Sequence, residues 1–538
     1  MSKKYFDIHK PVFWPAIILI VLFISVTLIV GEPMESFFGT FKDWVTDKTG
    51  WVFIITVNAF VIFCIYLAFS KYGSIRLGGK DAEPEFTTAA WFAMLFSAGM
   101  GIGLLFWGVA EPVFHYKSPP FGEGGTVDAA ERAMNYTFMH WGFHAWAIYA
   151  LVALSLGFFA FNKGLPLTIR SVFYPILGDR IYGWIGDVID VFAVLATLFG
   201  LATSLGLGVK QVGAGISFLT GLENTVWLQV VLIAGITLIA TLSVVAGVEK
   251  GVKMLSEWNI RIAATLLVFI LIVGPTLFIF RSTIQNIGNY LTNIVQVASW
   301  TEAYRDQGWQ GDWTVFYWAW WISWSPFVGM FIARVSKGRT IREFITGVLL
   351  IPSFLTFFWL SAMGGSAIFI DLHTEGSLLA DNIIKDEATA LFFFLEEFPL
   401  TTLGSIVGII LIASFFVTSS DSGSLVIDSI TAGGKLDAPV AQRVFWAVAE
   451  GTVAAVLLIG GGLTALQTAT ITTGLPFLFI LIVIAYALRK GLKQDYAKQQ
   501  LLSQEQSRKK YEEKLAKVVL KNIQKENLPG NDNSPSKK

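Results

Sequence analysis

The chain has 538 residues, of which 54% are hydrophobic and only 14% charged, about half the charged fraction of a soluble domain. Its 39 basic and 39 acidic side chains cancel, and apolar stretches of membrane-spanning length recur along it. A string of soluble domains is excluded, and a single cysteine, Cys64, excludes an intrachain disulfide.

The first apolar run follows MSKKYFDIHK. It is too long for the core of a signal peptide and no small-residue cleavage pattern follows, so it reads as a retained span. Twelve spans are expected, at about 12–30, 51–69, 88–109, 137–160, 187–216, 226–247, 259–280, 314–334, 343–370, 400–427, 443–461 and 466–488. Loop charge tests the count. Lys71, Arg76 and Lys80, then Lys163, Arg170 and Arg180, Lys250 and Lys253, Arg334 to Arg342, and Lys435 with Arg443 fall in one set of loops. Glu32, Glu35, Asp43, Asp47, Glu111, Glu123, Asp128, Glu131 and the acids from Asp371 to Glu387 fall in the other. Positive loops mark the cytoplasmic side, so both termini are expected inside and the span number even.

Residues 164–184 and 282–304 read as amphipathic segments on opposite membrane faces. From Arg489 onward thirteen basic residues stand against six acidic ones. This tail reads as a solvated helix or as a contact with anionic lipid, ending at Pro529-Gly530. Laying spans 3–7 over spans 8–12 suggests two five-span repeats, which must insert with opposite orientation. Thr203-Ser204 in span 5 echoes Thr418-Ser419 in span 10.

Three motifs carry chemistry. Residues 312–334, DWTVFYWAWWISWSPFVGMFIAR, place Tyr317, Trp320/Trp321, Trp324, Phe327 and Phe331 on one helical stripe. That stripe is either a packing or interfacial surface or a wall for an organic cation, and Ser325-Pro326 is expected to interrupt it. In span 3, Gly99, Gly101 and Gly103 disfavour a regular helix, and freed backbone groups at membrane depth suit an ion or a carboxylate. In span 10, Thr418, Ser419 and Ser420 offer hydroxyls that either bond back to the helix or join carbonyls around a sodium ion. Asp421 is either an intramembrane acid or hydrated near the span's end. His140 and His144 have metal-ligand spacing, but no nearby carboxylate or cysteine is expected to join them. No nucleotide or phosphate loop and no paired acid and base is found, which disfavours a pump or an enzyme and gives no organic cofactor or nucleic-acid partner.

Together, DWTVFYWAWW at 312–321, GMGIG at 99–103 and TSSDSGS at 418–424 resemble the betaine/carnitine/choline transporter family over residues 10–490. The resemblance implies an all-α polytopic membrane protein with twelve transmembrane helices and two inverted five-helix repeats, a leucine-transporter-type core. It assigns 1–86 to the N-terminal segment with spans 1–2, 87–281 to the first repeat, and 282–311 to an amphipathic surface helix. The second repeat is then 312–488 and the basic cytoplasmic tail 489–538. It implies a substrate site of Trp141, Trp146, Tyr149, Trp320, Trp321 and Trp324, with Gly99, Gly101 and Gly103 beside it. It also implies a sodium site of Ser97, Met100, Phe415, Thr418 and Ser419. A second sodium site matches at Thr197 and Phe327, but Leu201 stands where the family's betaine members have a further threonine. Gly103 is similar to the sodium-coupled betaine type, where choline-selective relatives tend to carry aspartate.

The expected function is sodium-coupled uptake of a trimethylammonium osmolyte, glycine betaine foremost, for osmoprotection across a bacterial-type inner membrane. Carriers of choline, carnitine, ectoine or dimethylsulfoniopropionate, and a transporter-like osmosensor or channel, stand as alternatives. The resemblance further implies a homotrimer.

Overall fold

A computed structural model describes residues 5–31, 33–99, 101–246, 248–305, 307–435 and 437–526. The side chains of residues 96, 98, 99, 246–253 and 524–526 lie outside the description, which therefore omits the loop charges Lys250 and Lys253. The Glu32 and Pro529-Gly530 expectations also lie outside the described residues.

Among the described residues the chain is helical, with no strand beyond one isolated antiparallel bridge between Arg76 and Thr340. Nine of these helices are long and apolar enough to cross a membrane. The first two are α1 (Lys10–Val30) and α2 (Pro33–Phe69). The glycine-rich span 3 is split into α3 (Thr88–Gly99) and α4 (Ile102–Lys117), interrupted where alternate glycines weaken the helix. Span 4 is also split, into α5 (Val127–Trp141) and α6 (Phe143–Gly157). At Gly142 a Cβ would lie 2.6 Å from the Phe357 ring, so the two helices meet where only glycine fits.

Then come α7 (Trp184–Thr220), α8 (Val226–Ala246), α9 (Val248–Val273) and the amphipathic α10 (Thr276–Ser299). The seventh span was expected to run to residue 280. Gly274-Pro275 ends it at Val273 instead, because proline supplies no amide to continue the ladder. Residues 164–184 form three short helical turns between Ile169 and Tyr182.

The tryptophan-rich α11 (Phe316–Val335) is followed by α12 (Ile341–Leu360), α13 (Thr401–Thr431) and α14 (Val440–Glu526). Within α14, Gly461 and Gly462 leave helical geometry, between the eleventh and twelfth expected spans. Residues from Leu488 form a second compact unit, an exposed helix through Leu501, Leu515, Val519 and Ile523.

In the first unit α11 packs on α6 and α7, while α13 packs on α7, α8 and α9. The entry to α11 is fixed by Glu302, a non-glycine residue at φ 59°. Its carboxylate accepts the amides of Gln307 and Gln310, both at 2.9 Å, and these bonds offset the cost of left-handed backbone.

The expected interruption at Ser325-Pro326 is absent, and α11 runs through it. Proline at 326 leaves the Ile322 carbonyl, four residues back, without its amide donor. The Ser325 hydroxyl donates to that carbonyl at 2.7 Å, so the orphan is satisfied and the helix continues. Ser325→Ala is therefore expected to destabilise the protein by about 1 kcal/mol. Ser325→Ala with Pro326→Ala, which restores an amide, should recover it. Thermal unfolding in detergent of the single and double variants checks both outcomes.

Candidate functional site

The aromatic residues of α5, α6 and α11 meet. Trp141, Trp146, Tyr149, Trp321 and Trp324 line one small cavity of about 30 Å³, with Ala145 and Thr356. Three of these indoles are held by their edges. Trp141 Nε1 donates to Glu111 Oε2 at 2.6 Å, Trp321 Nε1 to the His140 carbonyl at 2.8 Å, and Trp324 Nε1 to the Gly200 carbonyl at 2.9 Å. Trp141 and Trp321 meet edge to face at 4.9 Å, as do Tyr149 and Trp321 at 6.2 Å. Polar edges bound to protein leave the electron-rich faces for a ligand, which is the arrangement that attracts an organic cation. A cavity this size admits one or two waters, so the rings must part to take a larger group.

Trp320 is not a wall of that cavity. It stacks on Trp321 at 4.8 Å, donates to Ser204 Oγ at 3.1 Å, and backs the box from behind. Gly103 explains its position. A Cβ there would lie 2.7 Å from the Trp320 ring and 3.1 Å from that of Trp141. Gly101, extended at φ −163°, caps the start of α4, with no heavy atom near its Cβ direction. Gly99 ends α3.

A second cavity, of about 120 Å³, is lined by Ser97, Phe415, Thr418 and Ser419, with Trp324, Phe327, Ser256, Asn259 and Ser422. Thus the described members of the expected sodium set share one void. Met100 lies outside the described residues. Thr418 Oγ1 sits 3.1 Å from the Phe415 carbonyl and accepts from Asn259 Nδ2 at 3.3 Å. Asn259 is buried, and its Oδ1 has no hydrogen-bond partner among the described residues. Hydroxyl, carbonyl and amide oxygens without a carboxylate suit a small hard monovalent cation, so the residues present fit sodium. Phe327 lines this cavity, but Thr197 does not; its hydroxyl bonds back to the Ala193 carbonyl at 2.7 Å.

A family model for "BCCT, betaine/carnitine/choline family transporter" matches residues 11–497. The chain belongs to this family. It is 46% identical over 503 residues to a "Glycine betaine transporter" of Acinetobacter baylyi, covering 94% of this chain and 76% of that protein. A "Glycine betaine/proline/choline transporter" of Vibrio parahaemolyticus is 49% identical over 505 residues, 90% of each chain. A "Glycine betaine transporter 1" of the same species is 49% identical over 503 residues, 92% of this chain and 95% of that protein. As a BCCT member the protein is a multi-pass membrane transporter and not an enzyme.

Two expectations need correction. Glu111 was grouped with the outer loop acids, and no carboxylate was expected near His140. α4 extends past the expected end of its span and carries Glu111 fully buried into the core. There its Oε1 lies 2.6 Å from His140 Nδ1 and 3.3 Å from His115 Nε2, and its Oε2 accepts from Trp141 and from Tyr317 Oη at 2.5 Å. Glu111, His115 and His140 bring possible metal-ligand atoms within 4.8 Å of one another, yet the carboxylate is already engaged four times and Thr314 holds His140 Nε2 at 2.9 Å. His144 turns away, to Asn58 at 3.0 Å and the Trp318 ring. Asn259, at the start of the expected seventh span between Glu257 and Arg261, is a further lining residue that no local sequence pattern marks.

Removing the carboxylate by Glu111→Leu strands the Trp141 and Tyr317 donors, at about 1–3 kcal/mol each. Glu111→Gln keeps one acceptor for them and should cost less. Thermal unfolding of the two variants gives the order, and equal stabilities would refute it.

Proposed function

We propose that this BCCT transporter carries out sodium-coupled uptake of a quaternary-ammonium compatible solute, glycine betaine foremost. The observation that carries the reading is the box of Trp141, Trp146, Tyr149, Trp321 and Trp324, with the indole edges of Trp141, Trp321 and Trp324 tied to protein acceptors. A trimethylammonium group cannot donate a hydrogen bond, so ring faces are the groups that recognise it in a dry site. The names of the three relatives support betaine within that class. Carnitine, choline, ectoine and dimethylsulfoniopropionate carriers remain the neighbouring readings, and the Vibrio name that includes proline and choline gives them weight.

In this mechanism Trp141, Trp321 and Trp324 hold the methyl groups, Trp320 supports Trp321 from behind, and the backbone at Gly99, Gly101 and Gly103 receives the carboxylate. Ser97, Phe415, Thr418 and Ser419 would hold sodium together with Met100, and a bound sodium supplies positive charge that joins α3 to α13. Asn259 Oδ1 stands ready to join that set. The departure at Leu201 and the bonded-back Thr197 favour one sodium over two.

Twelve spans are compatible with the helices once α3 with α4 and α5 with α6 are each taken as one interrupted span, α14 as two spans parted at Gly461-Gly462, and α10 as a surface helix. We read these as two inverted repeats, 87–281 and 312–488, with most of α10 between them. Rocking of one repeat against the other would expose the box alternately. Inner-membrane location with both termini inside, osmoprotection, a tail contact with anionic lipid, and trimer formation complete the reading.

Radiolabelled betaine uptake into proteoliposomes tests it. Uptake should need an inward sodium gradient, and indifference to sodium would sink the coupling. Trp321→Leu should lower betaine affinity by tenfold or more, since a desolvated cation–π contact is worth about 2 kcal/mol. Gly103→Asp, which forces the Trp320 and Trp141 rings apart, should weaken betaine relative to choline. A competition panel measures that ratio.

A further inference from the structure

Neither cavity uses the buried acids on the far side of α13. Thr418 and Ser419 face the void, and the next residue, about 100° further round the helix, faces the other way. Ser420 Oγ donates to Glu450 Oε2 of α14 at 3.1 Å. Asp421, the residue after that, accepts from Ser243 Oγ of α8 at 3.2 Å and lies 3.7 Å from Arg443 of α14. All three of Ser420, Asp421 and Glu450 are buried, so Asp421 is not hydrated at a span end. The turn that carries the candidate cation ligands is thus held from behind by two other helices.

Glu450 is the unusual member. It is fully buried, and among the described residues its Oε1 has no hydrogen-bond partner. Gly451 beside it seals the position, because a Cβ there would lie 2.4 Å from Thr237 Oγ1 and would push α8 away. Arg443 faces Asp421, and Asp428, two turns further along α13, is also buried, its Oδ1 without a hydrogen-bond partner among the described residues. The Arg443 guanidinium is thus directed at Asp421, and among the described residues no cation is placed against Glu450. An unpaired carboxylate charge at this depth is costly.

We propose that Glu450 is a positioning residue for the cation site: through Ser420 it holds the Thr418–Ser419 turn at the cavity, and it does so as the neutral carboxylic acid. This rests on the sodium coupling proposed above. Without the Glu450 acceptor, Ser420 turns its hydroxyl back to its own helix, as buried serines do. The rear of the turn is then free to move, and the two front hydroxyls lose their fixed separation.

Sodium titration of betaine uptake by full-length protein in proteoliposomes tests the proposal with Glu450→Leu, Glu450→Gln and Ser420→Ala. Glu450→Leu and Ser420→Ala should raise the half-saturating sodium concentration about fivefold, the ratio one lost hydrogen bond gives. Maximal uptake at saturating sodium should be unchanged. Glu450→Gln, neutral and nearly isosteric, should stay within about twofold of the wild type. A half-saturating concentration untouched by Glu450→Leu overturns the role, as does loss of maximal uptake alone. Glutamine as damaging as leucine overturns the neutral acid. If the leucine variant does not fold, Ser420→Ala carries the same comparison. A wild-type protein indifferent to sodium overturns the coupling itself and this role with it, whereas a sodium response that the variants leave intact overturns only this role.

Discussion

In hydrocarbon an indole N–H has no water to turn to, so the acceptor it finds decides which way its ring faces. Trp141, Trp321 and Trp324 find theirs in Glu111, the His140 carbonyl and the Gly200 carbonyl. These acceptors sit on α4, α5 and α7, three helices around the α11 stripe. The rings are thereby turned edge out and face in, and the box follows from hydrogen bonding before any ligand is considered. The same requirement explains Ser325, which closes the gap that Pro326 opens in the α11 ladder, and Glu302, which meets the two amides ahead of it.

Close approach supplies the second constraint. Gly103 lets the Trp320 and Trp141 rings reach the α4 backbone, and Gly142 lets α5 and α6 meet over Phe357. At both positions it is the missing Cβ that matters for packing. Gly103 thereby sets how near α4 stands to Trp141, a wall of the cavity of about 30 Å³.

How much of this was legible in the sequence depends on how local each cause is. The aromatic stripe and the glycine break in span 3 are written in adjacent residues, and both elements were readable: helical spacing aligns the rings, and alternate glycines stop the helix. Glu111 was not readable, because its neighbours in sequence look like an outer helix end and, His115 apart, its partners lie 29 to 206 positions away. Pro326 misled for the opposite reason. Its local rule was correct, but the remedy lay in the serine beside it, a residue that usually needs no comment. Asn259 gives no pattern at all, since a single amide among the polar residues that begin α9 has meaning only once Thr418 stands 3.3 Å away. The end of span 7 is written locally in Gly274-Pro275, although hydropathy stays high beyond it.

Trp324 lines both cavities: its indole is a wall of the aromatic box and of the void that holds Thr418 and Ser419. A partition shared by two compartments makes their contents thermodynamically dependent. An occupant that presses the ring one way takes volume from the other side, and one that steadies it lowers the entropic cost of filling the second. Any such influence has to be equal in both directions, because the free-energy difference belongs to the pair and not to either site. Two small voids that share one ring therefore need no long relay for an occupant of one to influence the other.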